Sequence, residues 1–490
     1  MTTPPTGGPS LKRAALKSSA WTMSNYAFGQ LLRFGSNTVL SYLLFEEAFA
    51  LMMVVNAVVQ GLQMFSDIGL GPSVVHDKRG DDQRFLDTVF TLQVLRGLAL
   101  GVACLALTYP AAAWYSRKDE LAWDLLRLLP ISALSICIGG FVSTKVYTAS
   151  RHLSLARVTV LEVASQVVGI ATMMTYALIH RDVFALVIGS VASAIVRVAL
   201  SHAILPGQRN RFAWDREAVR SIIHFGGWIF VSTVASFFAM QLDRLLFPSV
   251  FEFDESGVYS LASSMARMLP SIVGSLQLAV VFPLYSRIMG EGRSVMPSLK
   301  RMKGAIFAGA GLLVACVIGG SNAVIELIYD DRWLGAGWMM SVLSVGAWFQ
   351  ILESMYGSAL LAHGQARWVA FANAAKPIVF LAWFLAGSGA TGLRNAIIAW
   401  SLADIAKGIV SMFGAYRQGV LTFWLDVRFT CWTFVVAFGL WFGAQTLRDD
   451  YNVGPGWVLA VVAIGGLLAF APLLARAFAT LRKPRGEDSK

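Results

Sequence analysis

The chain is 490 residues long, 56% hydrophobic and only 14% charged, with a formal net charge of +11 and a mean hydropathy of +0.61. A soluble chain carries about 25% charged residues, so these values exclude a soluble enzyme and point to a polytopic membrane protein. The basic excess, which in a soluble chain would suggest nucleic acid, is the surplus that the positive-inside rule puts on cytoplasmic loops, and no nucleic-acid partner is expected.

In chain order, a Thr/Pro/Gly-rich tail with Lys12, Arg13 and Lys17 (1–17) precedes an apolar segment too long for a signal peptide. That segment opens fourteen candidate spans of about bilayer length. They cover 18–44, 48–66, 86–114, 121–143, 157–179, 183–204, 219–247, 257–285, 304–329, 336–361, 367–387, 392–416, 427–447 and 456–478. One set of alternating loops is basic, as in "PGQRNRFAWDREAVR" (206–220) and "SRIMGEGRSVMPSLKRMK" (286–303). The other set is short and acidic, with Glu46, Glu47, Glu252, Asp254, Glu255, Asp330 and Asp331. The bias predicts both termini in the cytoplasm. Cys104, Cys137, Cys316 and Cys431 lie unpaired in apolar windows, so no disulfide framework or metal site is implied. No phosphate-loop motif is present, and no cofactor is expected.

"QLLR" (30–33) in span one and "QLDR" (241–244) in span seven each lead to an acidic loop and another span. This weak repeat predicts two six-helix lobes, 18–205 and 219–416, joined by a cytoplasmic linker (206–218). Two appended helices (417–480) and a cytoplasmic tail (481–490) follow. Transporters are often built from such repeats with the substrate between them.

The spans carry charges that lipid does not tolerate unpartnered. Deep bases are Arg33, Arg96, Arg267, Lys376 and Lys407; Arg127, Arg197 and Arg244 are the other intramembrane bases. Acids are Glu162, Asp243, Glu326, Glu353 and Asp404. Asp404 and Lys407 stand three residues apart on one helix and are expected to pair. The remaining deep set is mainly cationic, which calls for a wet cavity and an anion, and arginine's planar fork suits phosphate. Glycine and serine in "GSVASAIVR" (189–197) predict close helix packing.

"QMFSDIGLGPSVV" (63–75) breaks a helix with Gly69, Gly71 and Pro72 and places Asp67 at its edge. Asp67 is expected to accept hydrogen bonds from opened amides or to pair with Arg79 or Arg84, making the stretch a gate element. An ion site there is the alternative.

The same stretch resembles the "FSD-GLG" segment of Wzx-type oligosaccharide flippases, in the polysaccharide transporter branch of the MOP exporter superfamily. "QLDRLLFPSVFEFDESGVYSLA" (241–262), "VVFPLYSRI" (280–288), "LIYDDRWLGAGWMM" (327–340) and "LLAHGQARW" (360–368) resemble later family segments. Pro72 departs from a position more often small and flexible. The resemblance implies an all-α fold of about fourteen helices in two lobes, working by alternating access on undecaprenyl-diphosphate-linked oligosaccharide, beside a polymerase and a chain-length regulator. It implies diphosphate binding by Arg33, Arg197, Arg244 and Arg267, assisted by Lys376 and Lys407. Gating or coupling to H⁺ or Na⁺ would involve Asp67, Gly69, Gly71, Asp243, Glu353 and Asp404. A cation exporter would favour a carboxylate-lined cavity, a lipid II flippase would share the arginines, and an enzyme would need a large outer loop.

Overall fold

The computed structural model describes residues 28–67, 69–152, 154–292, 294–386 and 392–482. The expected N-terminal tail, the start of the first span and most of the C-terminal tail lie outside them. The described residues contain helices and connecting turns and no strand. Among the described residues, eleven helices are long and apolar enough to cross a membrane, and each coincides with one span read from the sequence.

The chain divides into two compact units, Met1–Gly257 and Val258–Lys490. The first contains α1 (28–43), α2 (Glu46–Phe65), α3 (Leu70–His76), α4 (Gln83–Tyr115), α5 (Leu125–Gly139), α6 (Lys145–Arg151), α7 (Leu155–His180), α8 (Phe184–Ala203) and α9 (Arg216–Val250). Their boundaries follow local chemistry. Glu46 and Glu47 sit in the first turn of α2, where the helix dipole favours acid. Asp82 and Asp215 cap α4 and α9 by accepting from the Arg84 and Glu217 amides. The 33-residue α4 is about 50 Å long at 1.5 Å per residue, more than the hydrocarbon core requires.

The small residues of 189–197 act as their pattern predicts. A Cβ added to Gly169 of α7 would lie 2.9 Å from the Gly189 carbonyl of α8, and one added to Gly189 would lie 2.8 Å from the Gly169 carbonyl. The two backbones meet through paired glycines, the close approach that small residues permit in membranes.

The sequence places α9 at the head of a second lobe. In the structure α9 packs on α2, α3 and α4, and the first compact unit continues through it to Gly257. The preceding linker is stitched down rather than free. The Arg211 and Ala213 amides donate to Asp87 and Thr91 of α4 at 3.0 Å each. Asn210 accepts from Ser143 Oγ at 2.6 Å.

The second unit contains most of α10 (Phe253–Ala266), then α11 (Met268–Leu276), a π-helical turn (Gln277–Val281) and α12 (Phe282–Gly290). It continues with α13 (Met296–Ile328), α14 (Ala336–Ala362), α15 (Ala366–Ala386), α16 (Gly392–Arg417), α17 (Phe423–Asp449) and α18 (Pro455–Arg482). The eighth expected span, 257–285, is therefore interrupted: α10 stops at Ala266 and Arg267 stands at the junction with α11. α14 is its core helix, burying Trp348, Ile351, Met355 and Tyr356 against Phe307 and Leu299 of α13.

Candidate functional site

The helix break begins where α2 runs out. Ser66 returns its hydroxyl to the Leu62 carbonyl at 2.8 Å. Asp67 Oδ1 accepts the Gly69 amide at 2.9 Å, so the carboxylate serves an amide that the break opens, as expected. Arg79, its alternative expected partner, instead meets Asp77, Asp215 and Glu217. Gly69 adopts the left-handed conformation (φ 69°, ψ 36°), which disfavours any side chain. A Cβ on Gly71 would lie 3.2 Å from the Tyr147 ring.

α3 is clamped from α6. One Arg151 nitrogen donates to the carbonyls of Val74, Val75 and Asp77 at 2.7–2.9 Å, satisfying the end of the short helix. Its Nε donates to Asp81 at 3.1 Å, and His152 Nε2 donates to the other Asp81 oxygen at 2.7 Å. The His152 hydrogen bond, aided by the charges of His152 and Arg151 and opposed by burial, holds the Asp81 carboxyl below its ordinary value of 3.8.

Two cavities adjoin inside this first unit. One, of about 670 Å³, is bordered by Asn56, Gln60, Asp67 and Arg244. The other, of about 410 Å³, is bordered by Gln93, Ser190 and Arg197. Gln63, Arg96 and Tyr147 line both. Arg96 of α4 is the base at the junction. Its Nε donates to Ser66 Oγ at 2.9 Å and its NH2 to the Gln63 carbonyl at 2.7 Å, both at the C-terminal end of α2 where a cation is favoured. Gln93 fixes the floor by donating to the Gly140 and Val142 carbonyls and accepting from Tyr147 Oη. The walls thus carry three arginines and one carboxylate at Asp67, a surplus of positive charge that suits an anion.

The residues expected to bind an anion fall into different settings. Arg244 lines the larger cavity, with NH1 3.4 Å from Gln241 Oε1. Arg197 lines the smaller one and pairs with Glu162 at 2.7 Å, both side chains partly exposed. Arg33 is exposed on α1 and borders neither cavity. Arg267 is half-buried in the second unit, where Lys376 is buried and Lys407 partly buried. Asp243 is fully buried on α9.

The expected Asp404–Lys407 pair is not formed. Asp404 Oδ1 lies 2.7 Å from Lys376 Nζ of α15, and Lys407 Nζ lies 3.2 Å from Glu353 of α14. Gln350 also donates to Asp404 at 2.9 Å, and Ser411 to Glu353 at 3.3 Å. Lys376 rests 3.8 Å over the Trp400 ring. Partners on α14 and α15 outcompete the neighbour on the same helix, because two cross-helix pairs compensate all four buried charges.

Sequence reasoning left two features unassigned. Arg96 stood out only as a deep base, although it joins both cavities. Lys303, which the sequence places in a basic loop, is fully buried on α13. Its Nζ donates to Asp426 Oδ1 at 2.8 Å and Thr422 Oγ1 at 3.0 Å, and lies 3.3 Å over the Tyr356 ring. Tyr356 Oη closes the cluster on Asp426 and accepts the Thr422 amide at 3.1 Å. Among the described residues, no group of three or more His, Cys, Asp and Glu is placed to hold a metal.

Bundled membrane-spanning helices around a basic, polar cavity define a transporter-type membrane protein. The overall fold is similar to "Lipid II flippase MurJ, inward closed conformation", with a TM-score of 0.72 at 11% identity, covering 94% of this chain and 99% of that one. It is also similar to an inward-facing multidrug resistance MATE family transporter of the MOP superfamily (TM-score 0.62, 15% identity, 83% and 98% covered). Residues 39–337 match the family described as "Polysaccharide biosynthesis protein", and the chain belongs to that family. It is 22% identical to teichuronic acid biosynthesis protein TuaB of Bacillus subtilis (85% of this chain, 86% of TuaB). It is 21% identical to lipopolysaccharide biosynthesis protein WzxC of Escherichia coli (82% of each) and 22% to a putative O-antigen transporter of Shigella flexneri (81% and 96%).

Proposed function

We propose that the chain is a flippase that carries undecaprenyl-diphosphate-linked oligosaccharide repeat units across the bacterial inner membrane by alternating access. The product supplies exopolysaccharide, capsule or O-antigen biosynthesis. One observation carries the reading: Arg96, Arg197 and Arg244 border adjoining polar cavities within otherwise apolar spans. A planar guanidinium donates two parallel hydrogen bonds to a phosphate, and a diphosphate engages more than one such fork. The polyprenyl tail stays in the lipid while the sugars cross through water-accessible space. Lys-rich and Arg-rich loops hold both termini in the cytoplasm. A polymerase and a chain-length regulator take up the exported unit.

In this reading Arg33 and Arg267 add to diphosphate binding as the substrate moves. Lys376 and Lys407 assist only after release from Asp404 and Glu353. Those two carboxylates, with Asp67 and Asp243, are the candidates for H⁺ or Na⁺ coupling. A cation exporter is opposed by the arginines, which repel its substrate. A lipid II flippase shares their chemistry, and the lipid that accumulates separates the two.

The test is deletion of the gene in its own host, followed by extraction of polyprenyl-diphosphate lipids. Single repeat units accumulate on lipid and surface polymer disappears. Accumulated peptidoglycan precursor would assign the lipid II reading. Unchanged lipids with new sensitivity to cationic dyes would assign the exporter reading.

A further inference from the structure

Asn56, Gln60 and Gln63 stand at i, i+4 and i+7 on α2, one face of a 20-residue helix otherwise dominated by apolar and small residues. All three border the 670 Å³ cavity. The stripe runs about 10 Å along the helix axis at 1.5 Å per residue and ends at the arginine-bearing zone. Asn56 and Gln63 are exposed, and neither side-chain amide has a hydrogen-bond partner among the described residues. Gln60 is fixed by α9: its Oε1 accepts Gln241 Nε2 at 2.7 Å, and Gln241 Oε1 in turn faces Arg244 NH1 at 3.4 Å. Gln241 is buried, so this relay is built into the wall. Gln60 keeps its own N–H donors for the cavity.

Unsatisfied amides in a membrane-spanning helix are costly, and their restriction to one cavity-facing row calls for a polar, neutral occupant. Each carboxamide offers donors and an acceptor together, the complement of a hydroxyl that both donates and accepts. An array of neutral hydroxyls next to a diphosphate is the chemistry of a glycan head group. Resting on the flippase reading above, we propose that Asn56, Gln60 and Gln63 form a saccharide-binding stripe. The stripe engages sugar hydroxyls while Arg96 and Arg244 hold the diphosphate. It separates affinity into a charge-dependent part shared by every polyprenyl diphosphate and a neutral part that depends on the glycan.

The experiment measures binding of two probes to the full chain in detergent: bare undecaprenyl diphosphate, and the glycan-bearing lipid extracted from the deletion strain. Asn56→Ala and Gln63→Ala each weaken binding of the glycan-bearing lipid about three- to tenfold, the value of one or two hydrogen bonds, and leave the bare lipid unchanged. Arg96→Gln weakens both. Gln60→Ala follows Asn56→Ala if it folds; Asn56, which holds no partner, keeps the test decisive if it does not. Equal losses for both lipids, or no loss for either, overturn the stripe. Failure of the unsubstituted protein to bind either lipid overturns the flippase reading itself.

Discussion

Lys376 Nζ of α15 lies 2.7 Å from Asp404 Oδ1 of α16, with both side chains almost wholly buried. Breaking a buried pair from one side leaves an uncompensated charge and costs about 3–5 kcal/mol, whereas removing both partners is far milder. Lys376→Met and Asp404→Asn therefore each lower the thermal midpoint of the purified protein strongly, and the double variant recovers much of the loss. Additive losses in this cycle would mean that the two residues act separately.

Tyr356 plays a comparable part at the base of α17. Its hydroxyl meets Asp426 and receives the Thr422 amide, while its ring lies under Lys303. Tyr356→Phe keeps the ring, takes one donor from a buried carboxylate that Lys303 still holds and strands the Thr422 amide, so about 1–3 kcal/mol of stability is lost. A thermal-shift series with Tyr356→Phe checks this, and an unchanged midpoint contradicts it.

The turn after α2 separates two roles for Asp67. Asp67→Asn retains an oxygen that accepts the Gly69 amide, and Asp67→Ala does not. If the residue shapes the turn, polymer export survives in the Asn variant and falls in the Ala variant; if it binds an ion, both fail. Gly69→Ala, at φ 69°, costs about 1–2 kcal/mol whatever the role of Asp67.

Asp81 gives the Arg151 clamp on α3 a pH dependence. Its carboxyl ionises below the ordinary 3.8 because His152 and Arg151 favour the charged form. A depressed folded-state value means that the stabilisation is complete above the unfolded value and is lost as pH falls through the folded one. The stability difference between the unsubstituted protein and Asp81→Asn is thus fully present above the ordinary carboxylate value of 3.8 and is lost as pH falls through the lower folded-state value. The pair is half-exposed, so the difference is small and shrinks with salt. A difference that grows on acidification contradicts this assignment.

Much of the architecture is legible in the chain because hydropathy reports directly on bilayer crossing. The eleven long apolar helices fall on eleven of the expected spans. The interruption at Arg267 has a signal in the sequence: Pro270 has no amide to donate to the Ala266 carbonyl and its ring crowds that group, which ends α10 there within the long segment 257–285. Of the deep arginines only Arg96 lines the cavities, Arg33 and Arg267 bordering neither, whereas the turn was legible as "SDIGLGP". Partner choice was not. Asp404 and Lys407 are neighbours along one helix, yet the structure pairs each with a residue on another. Lys303 and Asp426 sit near charged loops and are separated by 123 positions, so no local pattern announces that packing buries them together.

The central claim is tested most directly by reconstituting the purified protein in liposomes with the lipid-linked repeat unit and following its exposure to a membrane-impermeant glycan-modifying reagent. The account predicts that the whole glycan pool becomes accessible with the unsubstituted protein, while about half stays protected with a folded Arg96→Gln, Arg244→Gln variant. Equal accessibility with both proteins would contradict the arginine-lined cavity as the path of the diphosphate.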